Sequence, residues 1–168
     1  MILSKRTVIS AAVWQKHKSK GFPRGEIYMV KIIVGPKGHS KTNRLIDAVN
    51  AAVESSKGSV ICIEKGSVST FMISSSARLV DIDEYEVTSY DNLYSFICGM
   101  LASNYDITDL FVDSTLRIGG RDYDALDAFL AKVSALSVKS GVNFMFTVST
   151  ESDCLKPSTY ASCSVQAV

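Results

Sequence analysis

The sequence predicts a three-layer α/β domain built on a mainly parallel β-sheet flanked by helices. Short β-branched runs alternate with stretches of about a dozen residues at helical spacing, the pattern of βαβ crossovers. The strand runs are almost continuously apolar, as expected of strands covered on both faces. With 46% hydrophobic and 21% charged residues, the 168-residue chain has the composition of one globular domain and not of a disordered segment.

The elements follow in order. "IYMVKIIV" (27–34) is an apolar run that ends at Gly35 and reads as a buried strand. Leu45, Ile46, Val49, Ala52 and Val53 recur at helical spacing, and Gly58 in "SSKG" stops that helix. "SVICIE" (59–64) is the second strand. The serine-rich stretch 66–76 has only a brief "VSTFMI" run and reads as a loop or irregular edge. "ARLVDID" (77–83) is a third strand, followed by an acidic turn. Leu93, Phe96, Ile97, Met100 and Leu101 mark an amphipathic helix, with Ser89 or Asp91 as its cap. "ITDLFVDS" (107–114) is a strand; Leu126, Leu130, Val133 and Leu136 or Ser137 mark the next helix, with Phe129 on its flank and Gly141 after its end. "VNFMFTVST" (142–150) is the last expected strand, rich in aromatic and β-branched residues.

Three regions result: a basic extension over 1–28, a domain over 29–150 and a tail over 151–168. Residues 1–28 carry +5 and the remainder −4, so the basic character belongs to the extension. It reads as a nucleic-acid-binding arm, a targeting segment or an extension foreign to the native protein, since Met29 opens the first apolar strand. A secretory signal is disfavoured, because "TVISAAVW" is short and runs into more lysines. The tail, with Pro157 and many small polar residues, is expected to be loosely attached. No apolar stretch reaches the roughly 18 residues needed to cross a bilayer. Cys62, Cys98, Cys154 and Cys163 have no metal-ligand or C-x-x-C spacing, so a reducing, cytoplasmic setting is expected.

One stretch carries chemistry. "GPKGHSKT" (35–42) sits between the first strand and the first helix and matches the Walker A phosphate loop except that Ser40 replaces its last glycine. A buried strand, a glycine-containing turn and a helix start direct backbone N–H groups toward a phosphate chain. The binding set is Gly35, Pro36, Lys37, Gly38, His39, Ser40, Lys41 and Thr42. Lys41 is the charge aimed at the β- and γ-phosphates, and the Thr42 hydroxyl is a Mg²⁺ ligand. Ser40 adds a side chain that either strains and narrows the loop or donates to phosphate. Further along, "DLFVDS" ends an apolar strand in Asp113, the Walker B pattern for a carboxylate that holds Mg²⁺.

On these motifs, with "VICIE" and "VNFMFTVST" as the neighbouring strands, residues 29–150 resemble the RecA-like (ASCE) branch of P-loop NTPases. From Met29 onward the chain also resembles short, uncharacterised bacterial ATP-binding or ATPase proteins. The resemblance implies ATP and Mg²⁺ as ligands and slow Mg-dependent hydrolysis, with self-association or a protein partner completing the site. Ser114 stands where many relatives carry a catalytic glutamate after the Walker B aspartate. RecA-type recombinases take theirs from the strand after the first helix, where Glu64 lies here, which makes Glu64 the implied catalytic base beside Lys41. Thr147 and Ser149 share a strand face and lie where the family senses nucleotide state. Arg117 and Arg121 read as exposed arginines or as phosphate-binding groups, in cis or toward a neighbouring subunit.

Two alternatives stay open: a nucleotide-binding or interaction module without turnover, in which Ser40 and Ser114 mark lost catalysis, and a small-molecule kinase, for which no lid motif is recognisable. A GTPase is disfavoured by the lack of N-K-x-D. The 29–150 region has no basic stripe, so nucleic acid would be contacted only through 1–28.

Overall fold

The structure, a computed structural model, describes residues 29–38, 40–66 and 71–168. The basic extension 1–28 and His39 lie outside the described residues.

Among the described residues six strands form one sheet: β1 (Val30–Val34), β2 (Ser59–Glu64), β3 (Arg78–Asp81), β4 (Ile107–Val112), β5 (Asn143–Val148) and β6 (Ser164–Ala167). Their order is β3-β2-β4-β5-β1-β6, and every neighbouring pair is parallel. The helices are α1 (Ser40–Ser55), α2 (Tyr90–Ser103), α3 (Thr115–Gly119), α4 (Tyr123–Ser140) and α5 (Pro157–Ser162).

The alternation of side chains along a strand separates two cores. Leu110 and Val112 of β4 pack with Ile32, Val34, Phe144 and Phe146 against Leu93 and Ile97 of α2 and Phe129, Leu130 and Val133 of α4. Phe111 of the same strand faces the other way, with Val60 and Cys62, against Leu45, Ile46 and Val49 of α1. The three-layer α/β class expected from the sequence is therefore the one observed, and the continuous apolar runs of β1 and β4 reflect burial on both faces.

The caps explain the helix limits. Ser89 caps α2, its hydroxyl oxygen accepting from the Asn92 N–H. Asp122 caps α4 by accepting from the N–H groups of Asp124 and Ala125. Gly141, at φ 76°, closes α4 with its N–H on the Ser137 carbonyl, a left-handed cap that glycine adopts without penalty.

Two elements differ from expectation. The third strand stops at Asp81, because the Asp81 side chain accepts from the Asp83 N–H and starts a 3₁₀ turn over Ile82–Tyr85. Residues 71–76 form a loop, in line with the sequence; Asn50 of α1 donates to the Met72 carbonyl at 3.0 Å and accepts from the Ser74 N–H at 2.8 Å, and Ile73 and Ala77 join the α1 core. The expected loose tail is instead ordered into α5 and β6, the latter pairing with β1 from Lys31↔Ser164 to Val34↔Ala167. "SVQA" has no apolar run because β6 is a short edge strand, held through its backbone.

Candidate nucleotide site

Strand alternation assembles the site. Glu64 follows Cys62 by two residues, Asp113 follows Phe111, and Thr147 follows Met145, so all three polar side chains continue the face that packs under α1. They occur where β2, β4 and β5 reach their C-terminal ends, beside the loop that connects β1 to α1. Ligands of open parallel sheets bind at that edge.

The loop leaves β1 at Gly35, which is buried, and crosses the surface through Pro36, Lys37 and Gly38. Gly38 has φ +155°, a conformation that disfavours any side chain, and open space lies where a Cβ would stand. The α-helix then begins at Ser40. Ser40 does not have positive φ, because among the described residues only Glu86 and Ser114 do so without being glycine. The serine at the last glycine position therefore stores no left-handed strain.

Lys41 is 2% exposed although it is a lysine in the first turn of a helix. Its ammonium donates to the Pro36 carbonyl and closes the loop on itself. Burial lowers its pKa, and the Asp113 carboxylate opposes that shift. The next residue, Thr42, places its hydroxyl 3.3 and 3.2 Å from the two Asp113 carboxylate oxygens, across 71 positions of sequence.

Asp113 is itself held from several sides. Its N–H donates to the Ile63 carbonyl at 2.9 Å, extending the β4–β2 pairing one residue past the strand. Thr147 donates its hydroxyl to Asp113 Oδ1 at 2.5 Å, and Ser114 donates to Oδ2 at 3.1 Å. The Ser114 N–H in turn donates to Thr147 Oγ1 at 2.8 Å, with Ser114 at φ 56°. Three hydroxyls thus converge on one carboxylate, a group with lone pairs enough for all of them.

Glu64 is 3% exposed and paired in register with Asp81 of β3, with Ile63 bonded to Asp113 just before it. The Cys62 thiol reports both carboxylates: burial raises its pKa most, and the charges of Glu64 and Asp113 raise it further. Glu64 follows Ile63, whose carbonyl accepts from the Asp113 N–H, so the two carboxylates end adjacent strands.

The structure brings Gly35, Pro36, Lys41, Thr42, Asp113 and Thr147 together, with Glu64 alongside. Ser149 lies beyond β5, and it is Thr147 that reaches Asp113. Arg117 and Arg121 are exposed and form no ion pair among the described residues. The role of Ser114 was hidden in the sequence, where it registers only as the lack of a glutamate; with its backbone left-handed, its N–H meets Thr147 and its hydroxyl meets Asp113. Thr42 and Asp113 offer hard oxygens of the kind Mg²⁺ takes, and that ion commonly completes its shell with water and substrate phosphates, so this donor set fits it. No protein-family model matches the chain, and no curated protein matches it.

Among the described residues no helix is long and apolar enough to cross a membrane. The four cysteines are free.

Proposed function

We propose that the chain binds Mg·ATP at residues 35–42 and hydrolyses it slowly, as a small protein of the RecA-like P-loop branch. The observation that carries this reading is the meeting of Lys41, Thr42 and Asp113: a buried lysine and a hydroxyl from consecutive residues after the loop, met by a carboxylate 71 positions away from Thr42. The sheet order supports it as well, since β5 is interposed between β1 and β4, in keeping with an additional-strand branch.

In this reading the Lys41 ammonium exchanges the Pro36 carbonyl for the β- and γ-phosphate oxygens, which offer it stronger, charge-assisted partners. Thr42 and Asp113 are the residues that would hold Mg²⁺, which when bound would supply positive charge against the phosphates. Thr147 and Ser114 keep the Asp113 carboxylate in one orientation. Glu64 orients the attacking water and accepts its proton.

Binding without turnover is the second reading, and Ser114 favours it. No carboxylate directly follows Asp113, and the serine hydroxyl is spent on Asp113 itself. A small-molecule kinase finds less support. The free cysteines suit a cytoplasmic compartment, and the exposed Arg117 and Arg121 are available to a neighbouring copy or protein partner.

Calorimetric titration with Mg·ATP, followed by phosphate release, tests both readings. Lys41→Ala should abolish measurable binding; unchanged affinity would remove the phosphate-loop assignment. Glu64→Gln should keep binding and lower turnover by about 10²-fold or more. If the wild-type chain binds ATP and releases no phosphate, the second reading replaces the first.

A further inference from the structure

The final strand does more than close the sheet edge. Val168 donates its N–H to the Val34 carbonyl at 3.0 Å, one residue before the loop begins. A Cβ at Gly35 would stand 2.7 Å from the Val168 carbonyl oxygen and 2.9 Å from its Cγ2, both inside van der Waals contact. The phosphate loop therefore starts its turn against the backbone of Val168, and glycine is required there by that close approach.

The strand that leads into Val168 is held at a distance. Asp127 of α4 accepts from Ser158 at 2.7 Å and from the buried Thr159 hydroxyl at 2.6 Å, pinning α5, which leads through Cys163 into β6. Ser134 of α4 adds a bond to the Ser162 carbonyl at 3.2 Å. Leu155 and Cys163, at either end of α5, are buried in the α4 core. Among the described residues no strand pairs with the far side of β6, and β1 pairing and this latch are what hold it there.

We propose that β6 and Val168 are a positioning element of the phosphate loop, with Asp127 as the latch that sets how firmly they are held. Loosening the latch frees the start of the loop and weakens phosphate binding. By reciprocity, ligand bound at the loop tightens β6. This second half rests on the nucleotide reading above, whereas the mechanical half does not.

Amide hydrogen exchange on the full chain without ligand tests the mechanical half. Asp127→Ala should speed exchange at 165–168 and at the loop amides from Gly35 to Thr42, leaving 60–63 and 110–112 of the central strands unchanged. Asp127→Asn, which keeps one acceptor oxygen for Thr159, should fall between. Unchanged exchange at 165–168 would overturn the latch, and faster exchange there with an unaltered loop would overturn the coupling. Should Asp127→Ala loosen the whole sheet, deletion of Val168 alone, which leaves α5 and its latch in place, must still free the loop amides, or the proposal falls.

Titration with Mg·ATP then reads the functional half. Asp127→Ala and the Val168 deletion should bind about 5- to 10-fold more weakly than wild type, at the low end of ordinary coupling between sites. Equal affinity in wild type and variants refutes the coupling to ligand. No binding by wild type refutes the nucleotide reading instead, and exchange in the free protein still decides the rest.

Discussion

Replacing Thr147 with valine removes one oxygen and keeps the side-chain shape, so its cost isolates the network around Asp113. Thr147 is 2% exposed, and its hydroxyl both accepts from the Ser114 N–H at 2.8 Å and donates to Asp113 Oδ1 at 2.5 Å. The Ser114 N–H, left without its acceptor in a partly buried site, costs about 1–3 kcal/mol. The lost bond to a carboxylate costs about 1.5 kcal/mol, the low end for a charged acceptor, because Thr42 and Ser114 still donate to Asp113. The added methyl returns about 0.8 kcal/mol. The expected net loss is about 2–4 kcal/mol, or a fall in Tm of about 4–16 °C for a chain of this size.

Urea denaturation of wild type, Thr147→Val and Thr147→Ser measures it. Serine keeps the oxygen and should recover most of the loss. A valine variant within about 0.5 kcal/mol of wild type would show that the hydroxyl neither supports the left-handed Ser114 backbone nor holds Asp113, and the site geometry argued from it would fail.

Three further outcomes follow from particular residues. Burial and two carboxylates raise the Cys62 pKa, so the native state holds a proton that the unfolded chain loses above pH 9; stability should fall as pH rises, by about 1.4 kcal/mol per unit from this group. Cys62→Val should flatten that decline when unfolding is compared at pH 8 and pH 10. Gly119→Ala should destabilise by about 1–3 kcal/mol, because the new Cβ would lie 2.2 Å from the buried Tyr90 ring; thermal melting reads it. Tyr90→Phe removes the hydroxyl that donates to the Gly120 carbonyl at 2.7 Å and should cost about 1 kcal/mol in the same assay.

The sequence showed the parts of the fold that depend on burial. β1, β2, β4 and β5 are apolar because helices cover them on both faces, and α2 and α4 show their limits in Ser89 and Gly141. What it concealed depends on backbone pairing and on distance. β6 is held by parallel hydrogen bonds to β1 and by an aspartate some thirty residues earlier, and neither leaves a mark on the composition of "SVQA". α3 is a five-residue helix that begins at a left-handed serine, below the length at which periodicity is visible. In the site, Gly35 to Thr42 and Asp113 could be read as motifs, whereas the Thr147–Ser114 bond requires a conformation that no residue type announces.

Ser40 shows how a departure from a motif should be weighed against local structure. A glycine is demanded where φ is positive or where another atom leaves no room for Cβ, and in this loop those demands fall on Gly38 and Gly35. Ser40 satisfies neither condition: it is the first residue of α1, exposed, with ordinary backbone. Its hydroxyl stands in the helix's first turn, where it can meet a phosphate oxygen with a donor at no cost to the fold. Ser40→Gly should therefore leave the free protein's stability unchanged or slightly lower, since glycine in a helix's first turn adds backbone entropy to be lost. Mg·ATP affinity separates the two roles. A gain on substitution marks the serine as an obstruction, and a loss marks it as a phosphate ligand.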